Sequence, residues 1–74
     1  KVNQDFKTQL QEYVQADNKR TIEYVLLTME GPANAREFEM AVKIDDIIYG
    51  KGKGSSKKRA EQAAAEVALE KLVK

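Results

Sequence analysis

Gly50-Lys51-Gly52-Lys53-Gly54-Ser55-Ser56-Lys57-Lys58-Arg59-Ala60-Glu61-Gln62-Ala63-Ala64-Ala65 is the stretch on which the reading of this chain turns. Its first ten residues carry five cations and no anion. Its last six are strong helix formers, so a helix begins near Lys57. A helix start already exposes unpaired N–H groups and the positive end of the backbone dipole. Acidic residues would stabilise that first turn by about 0.3–1 kcal/mol each, whereas Lys57, Lys58 and Arg59 oppose it. The conflict disappears if a phosphate sits there, because N–H groups, dipole and cations then all favour the anion. A solvated basic turn is the competing reading, and the run alone does not choose between them.

The rest of the composition sharpens the contrast. The chain has 74 residues and a formal net charge of +1, so it forms at most one small domain. Residues 1–50 hold six cations against nine anions, and residues 60–74 two against three, so the positive charge is concentrated in residues 51–59. There is no cysteine and no histidine. That removes thiolate and imidazole metal sites, Ser-His and Cys-His nucleophile pairs, and the usual general base. No apolar run approaches membrane-spanning length and no secretory signal opens the chain. We therefore expect a soluble, cytoplasmic domain with no membrane partner and no small-molecule ligand. Lys1 in place of an initiator methionine leads us to expect a piece of a longer protein.

Outward from the basic run, the pattern is α-β-β-β-α. Asp5 is positioned to cap a first helix in which Phe6, Leu10, Tyr13 and Val14 share one face and Thr8, Gln11, Glu12 and Gln15 the other. Residues 16–20 form a polar exit loop. Thr21–Glu30 alternates Ile22, Tyr24, Leu26 and Thr28 with Glu23, Val25, Leu27 and Met29, as a strand does. Gly31-Pro32 punctuates a loop to Ala35. Arg36–Ile44 is a half-buried strand with Phe38, Met40, Val42 and Ile44 inward. Asp45-Asp46 is a two-residue hairpin turn, and a third strand spans Ile47–Lys51. The last helix, about Lys57–Val73, buries Ala60, Ala63, Ala64, Val67, Ala68 and Leu72 and presents Glu61, Glu66, Glu70 and Lys71 to water. Phe6, Tyr13 and Phe38 read as packing residues, and Asp45-Asp46 and Glu37/Glu39 as solvated positions, not a metal site. The expected fold is α+β: a two-layer sandwich with both helices on one face of a three-stranded antiparallel sheet. Residues 1–4 form a tail and 5–73 the domain.

Gly31-Pro32, Phe38 and the Gly-Lys-Gly-x-Gly-Ser-Ser-Lys-Lys-x-Ala run at 50–60 together resemble the double-stranded RNA-binding domain, over nearly the whole chain. Asp5-Phe6-Lys7-Thr8-Gln9-Leu10-Gln11-Glu12, Glu30-Gly31-Pro32 and Ala60-Glu61-Gln62-Ala63-Ala64 are most similar to the C-terminal domain of bacterial ribonuclease III. The resemblance implies three contact regions for double-stranded RNA. One is Thr8, Gln11 and Glu12 on the first helix. Another is the loop with Pro32, Ala33 and Asn34, where this chain has Asn34 at a place often taken by histidine. The third is the basic helix start, Ser56, Lys57 and Lys58 with Lys53 and Arg59 beside them and Gln62 one turn further in. Glycines 50, 52 and 54 would let the backbone approach phosphates.

Duplex RNA has a shallow minor groove lined with 2′-hydroxyls and a narrow major groove edged by phosphates; domains of this family span about 16 bp across two minor grooves. Neutral hydrogen-bonding groups and Glu12 suit the former, and Lys57 and Lys58 the latter. The resemblance further implies a domain that is monomeric in isolation, not itself catalytic and without a cofactor. Its homodimeric parent would be a ribonuclease III that processes structured and ribosomal RNA with magnesium in a separate domain. A protein–protein interaction module of the same fold is the alternative. An independent enzyme is disfavoured by the absent histidine and cysteine and the scattered carboxylates.

Overall fold

The computed structural model describes residues 5–17 and 20–73, so the expected tail at 1–4 and part of the exit loop lie outside the described residues. Helix α1 spans Phe6–Asp17, strands β1 Ile22–Glu30, β2 Glu37–Ile44 and β3 Ile47–Gly54, and helix α2 Lys57–Val73. The sheet is antiparallel in the order β1-β2-β3. The molecule is 18 Å thick along its shortest axis, as one layer of helices on one sheet requires. The expected α-β-β-β-α sandwich is the observed one.

Local chemistry accounts for the element ends. The Asp5 carboxylate accepts the Thr8 N–H at 3.3 Å and so caps α1. Ser56 Oγ accepts the Arg59 N–H at 3.2 Å and caps α2. Asp45 and Asp46 both have positive φ, 53° and 69°, which makes the β2–β3 connection a tight hairpin of the type that matches strand twist.

The core is small and runs between the layers. Leu10, Val14, Val42, Ile44, Ala64, Ala65 and Ala68 form one buried cluster, with Phe6, Ile22, Tyr24, Tyr49, Leu69 and Leu72 packed against it. Ala65 joins this cluster although the sequence pattern left it out, because α1 packs beside α2 and widens the buried arc.

Four expectations are corrected. First, β3 continues to Gly54, three residues beyond Lys51, because Phe38, Glu39 and Met40 remain available to pair with Gly54, Lys53 and Gly52. Second, the alternation of β1 breaks at a bulge between Leu26 and Thr28, so those two residues do not share a face and Met29 pairs with Phe38. Third, Tyr13 is 47% exposed and is not core. Its hydroxyl donates to the Leu72 carbonyl at 3.0 Å and ties α1 to the last turn of α2. Fourth, Glu61 does not simply face water. It pairs with Lys7, leaving only 20% of its side chain accessible.

Two cross-links also set the helix direction. The start of α1 touches Gln62, whereas Tyr13 touches Leu72. The helices therefore run parallel, and their N-termini lie at the same end of the molecule.

Lys7 also lies 5.0 Å from the centroid of the Tyr24 ring. Burial pushes the Tyr24 phenol up to about 12, with Glu61 and then Asp5 adding to the effect. A raised value means that the fold favours the neutral phenol. The contribution is complete below pH 10 and is lost as pH rises through 12. Wild type should therefore lose on the order of 1 kcal/mol relative to Tyr24→Phe across that window, after allowance for solvent screening of a partly exposed group. Urea unfolding of both proteins at the two ends of the window measures it.

Candidate nucleic-acid interface

The helix α2 start keeps every feature that made it informative. Its first turn contains no acidic residue. Lys57, Lys58 and Arg59 are exposed, and among the described residues none of them enters an ion pair. Ser56 uses one lone pair on the cap at Arg59 N–H, and its own O–H remains available to donate. The result is a cluster of outward donors and positive charge at a dipole end, suited to phosphate oxygens.

The glycines serve a different purpose from the expected one. Gly50, Gly52 and Gly54 pair with Val42, Met40 and Phe38 on the side of the sheet that meets α2. A Cβ at Gly50 would stand 2.5 Å from the Ala64 carbonyl oxygen, and one at Gly54 2.7 Å from Ala60 N. A Cβ at Gly52 would collide with Ala64 N and with the carbonyl carbon and Cβ of Ala63. These glycines face the helix, not a phosphate, and let α2 lie directly on β3 with its alanines inward.

Strand alternation then points Lys51 and Lys53 to the other face. Lys53 is exposed opposite Glu39 on that outer face and is not gathered with Lys57 and Lys58.

The two flanking regions lie apart along the sheet: the β1–β2 loop follows Glu30 at one end of β1, whereas the α1 face lies beside Ile22 and Tyr24 toward the other. The β1–β2 loop leaves the sheet where Phe38 pairs with Gly54, three residues before α2 begins at Lys57. Pro32, Ala33 and Asn34 are all exposed there. Gly31 has φ 97°, and the Ala35 N–H donates to the Pro32 carbonyl at 2.9 Å, which closes the turn. On α1, Thr8, Gln11 and Glu12 are exposed on one face. Gln11 also lines a groove of about 180 Å³ with Lys7, Gln15, Ile22 and Tyr24, between α1 and β1. Gln15 belongs to the same polar face and extends this region by one turn.

Gln62 departs from its expected role. Its Oε1 accepts the N–H of Phe6 at 2.7 Å and of Lys7 at 3.3 Å, and its Nε2 donates to Asp5 Oδ1 at 2.8 Å. The carboxamide is thus directed at the first turn of α1, where it satisfies N–H groups that helix geometry leaves open. The Gln62 amide, followed by the Thr8 hydroxyl and N–H, holds the Asp5 carboxyl below its ordinary range, so Asp5 is ionised at neutral pH. The Asp5–Gln62 contact across the two helices has no signal in the sequence, which offers Asp5 as a cap and Gln62 as an RNA contact.

Among the described residues, no group of three or more Asp, Glu, His or Cys is arranged to hold a metal ion, and no helix is long and apolar enough to cross a membrane.

An exposed cationic helix start, accompanied by a tight turn and a polar helix face on an α-β-β-β-α sandwich, defines a double-stranded RNA-binding domain. The family model described as double-stranded RNA binding motif matches residues 6–72, and the chain belongs to that family. It is 53% identical over 70 residues to Ribonuclease 3 of Bacillus velezensis, covering 95% of this chain and 28% of that protein. It is 50% identical over 68 residues to Ribonuclease 3 of Latilactobacillus sakei, covering 92% of this chain and 30% of that protein. Among solved structures it resembles Dicer from Pichia stipitis, with a TM-score of 0.72 and 28% identity over 95% of this chain and 34% of the other. The chain thus spans less than a third of the length of these Ribonuclease 3 relatives.

Proposed function

We propose that this domain docks double-stranded RNA for a ribonuclease III-type endonuclease by reading A-form shape, largely independent of sequence. The observation that carries the reading is the Lys57-Lys58 pair at the α2 dipole end, which has no ion-pair partner among the described residues, with the Gly31–Ala35 loop at its end of the sheet and the α1 polar face joined to α2 through Gln62. Lys57 and Lys58, with Arg59, meet phosphates across the major groove. Thr8, Gln11, Glu12 and the Pro32–Asn34 turn meet 2′-hydroxyls in the flanking minor grooves. Glu12 accepts from a 2′-hydroxyl, a group DNA lacks, and would repel a phosphate. The parent is a cytoplasmic, homodimeric hydrolase of structured and ribosomal RNA whose magnesium-dependent cleavage belongs to another domain; the fragment binds without cleaving.

Competition among a 20-bp RNA duplex, the matching DNA duplex and the hybrid at fixed salt tests the reading. RNA should win, and its affinity should fall with salt with a log–log slope of roughly −2.7 if three cations meet phosphates. Equal affinity for RNA and DNA, or a flat salt response, would overturn it.

A further inference from the structure

Two hydroxyls of the interface differ in what they can still offer a partner. Ser56 Oγ accepts from the Arg59 N–H and keeps its proton for a partner. Thr8 does the reverse. Its Oγ1 donates to Asp5 Oδ2 at 2.8 Å, and an ionised carboxylate has no proton to return. The outward side of Thr8 is therefore left with lone pairs only. Asp5 is itself held in place, because its other oxygen takes the Gln62 amide at 2.8 Å and the Thr8 N–H at 3.3 Å. Gln62 belongs to α2, one turn after Lys58 on the same helix face. The group that fixes the polarity of the α1 patch is thus anchored to the phosphate-binding helix.

We propose that Asp5, clamped by Gln62, fixes Thr8 as an acceptor-only group, so that the Thr8–Glu12 patch selects hydrogen-bond donors in the minor groove, above all 2′-hydroxyls. This rests on the reading of the domain as a binder of duplex RNA. Asp5 and Gln62 are positioning residues that touch no RNA. Ser56, with its outward donor, sits at the acceptor-rich phosphates, and Thr8, with its outward acceptor, at the donor-bearing riboses.

Asp5→Asn isolates the effect. Asparagine caps a helix as well as aspartate does. Its Oδ1 keeps the Thr8 N–H and Gln62 bonds, while its amide now donates to Thr8 Oγ1 and turns the Thr8 proton outward. The probes are an all-ribose RNA duplex and the same duplex with 2′-fluoro riboses, which lack the donor. Wild type should prefer ribose by about threefold to tenfold, the worth of one net hydrogen bond. Asp5→Asn should reduce that preference to less than about twofold. In a Thr8→Ala background it should have no further effect on it, a result that a purely structural role of Asp5 would not give. An unchanged preference in Asp5→Asn, an equal change in the Thr8→Ala background, or a wild-type protein that binds both duplexes equally would overturn the inference alone. Failure of wild type to bind the ribose duplex would overturn it together with the reading beneath it.

Discussion

Lys57→Ala/Lys58→Ala should weaken binding to a 20-bp RNA duplex by about 100-fold or more at moderate salt while leaving the melting temperature unchanged or slightly raised. Each lysine is exposed and has no described ion-pair partner, so neither supports the fold. Each charge-assisted contact to a phosphate contributes on the order of 1.5–3 kcal/mol, and two of them give a loss of that size. Stability should move the other way. Removing two cations from the positive end of a helix relieves about 0.3–1 kcal/mol each, and alanine is the best helix former. The salt slope should become shallower by roughly 1.8, as the duplex DNA rule gives for two lost phosphate contacts. Filter binding across a salt series, paired with thermal unfolding, reads both quantities. Intact affinity would remove Lys57 and Lys58 from the interface. Lost affinity together with a lower melting temperature would mean that the pair acts through the fold.

Gly52→Ala should have the opposite signature, a large loss of stability. The added methyl meets the backbone of Ala63 and Ala64, and no flexible side chain can move aside. Overpacking against side chains costs about 1–3 kcal/mol, and here the whole helix must lift from β3, so about 3–5 kcal/mol is expected. A domain of this size is stable by only roughly 4–11 kcal/mol. The melting temperature should fall by more than about 12 °C. RNA binding should weaken only as far as the folded fraction falls and as far as α2 is displaced. Urea unfolding gives the loss directly. A variant as stable as wild type would mean that Gly52 does not face α2, and would restore the possibility that it faces the ligand.

These substitutions divide what local sequence reveals from what it hides. The hairpin at Asp45-Asp46, the cap at Asp5 and the inward alanines at 60, 64 and 68 are written in short-range patterns, and all three occur as read. The same patterns misplace residues whose role depends on a distant partner. A glycine between lysines looks like a phosphate cradle until Ala64 is seen above it. Tyr13 fits an apolar stripe, yet its hydroxyl reaches Leu72, 59 residues away. Gln62 follows the lysines on the α2 sequence, yet its amide serves Phe6 and Asp5, which precede it by 56 and 57 residues. Of the candidate contacts, Thr8, Gln11, Glu12, the 32–34 turn and the 57–59 cations are exposed as required, whereas Gln62 is directed inward and Lys53 to the far face of the sheet.

The sequence by itself determined the order of elements, the two-layer class and the location of the positive charge. Each follows from periodicity, turn chemistry and charge within a few residues of chain. The tertiary structure alone decided that the two helices run parallel, that the glycines are spent on close packing of α2, and that Asp5 and Gln62 join α1 to the basic helix. Those outcomes depend on which polar groups and which empty spaces meet across the interface between layers, and no local pattern encodes that meeting.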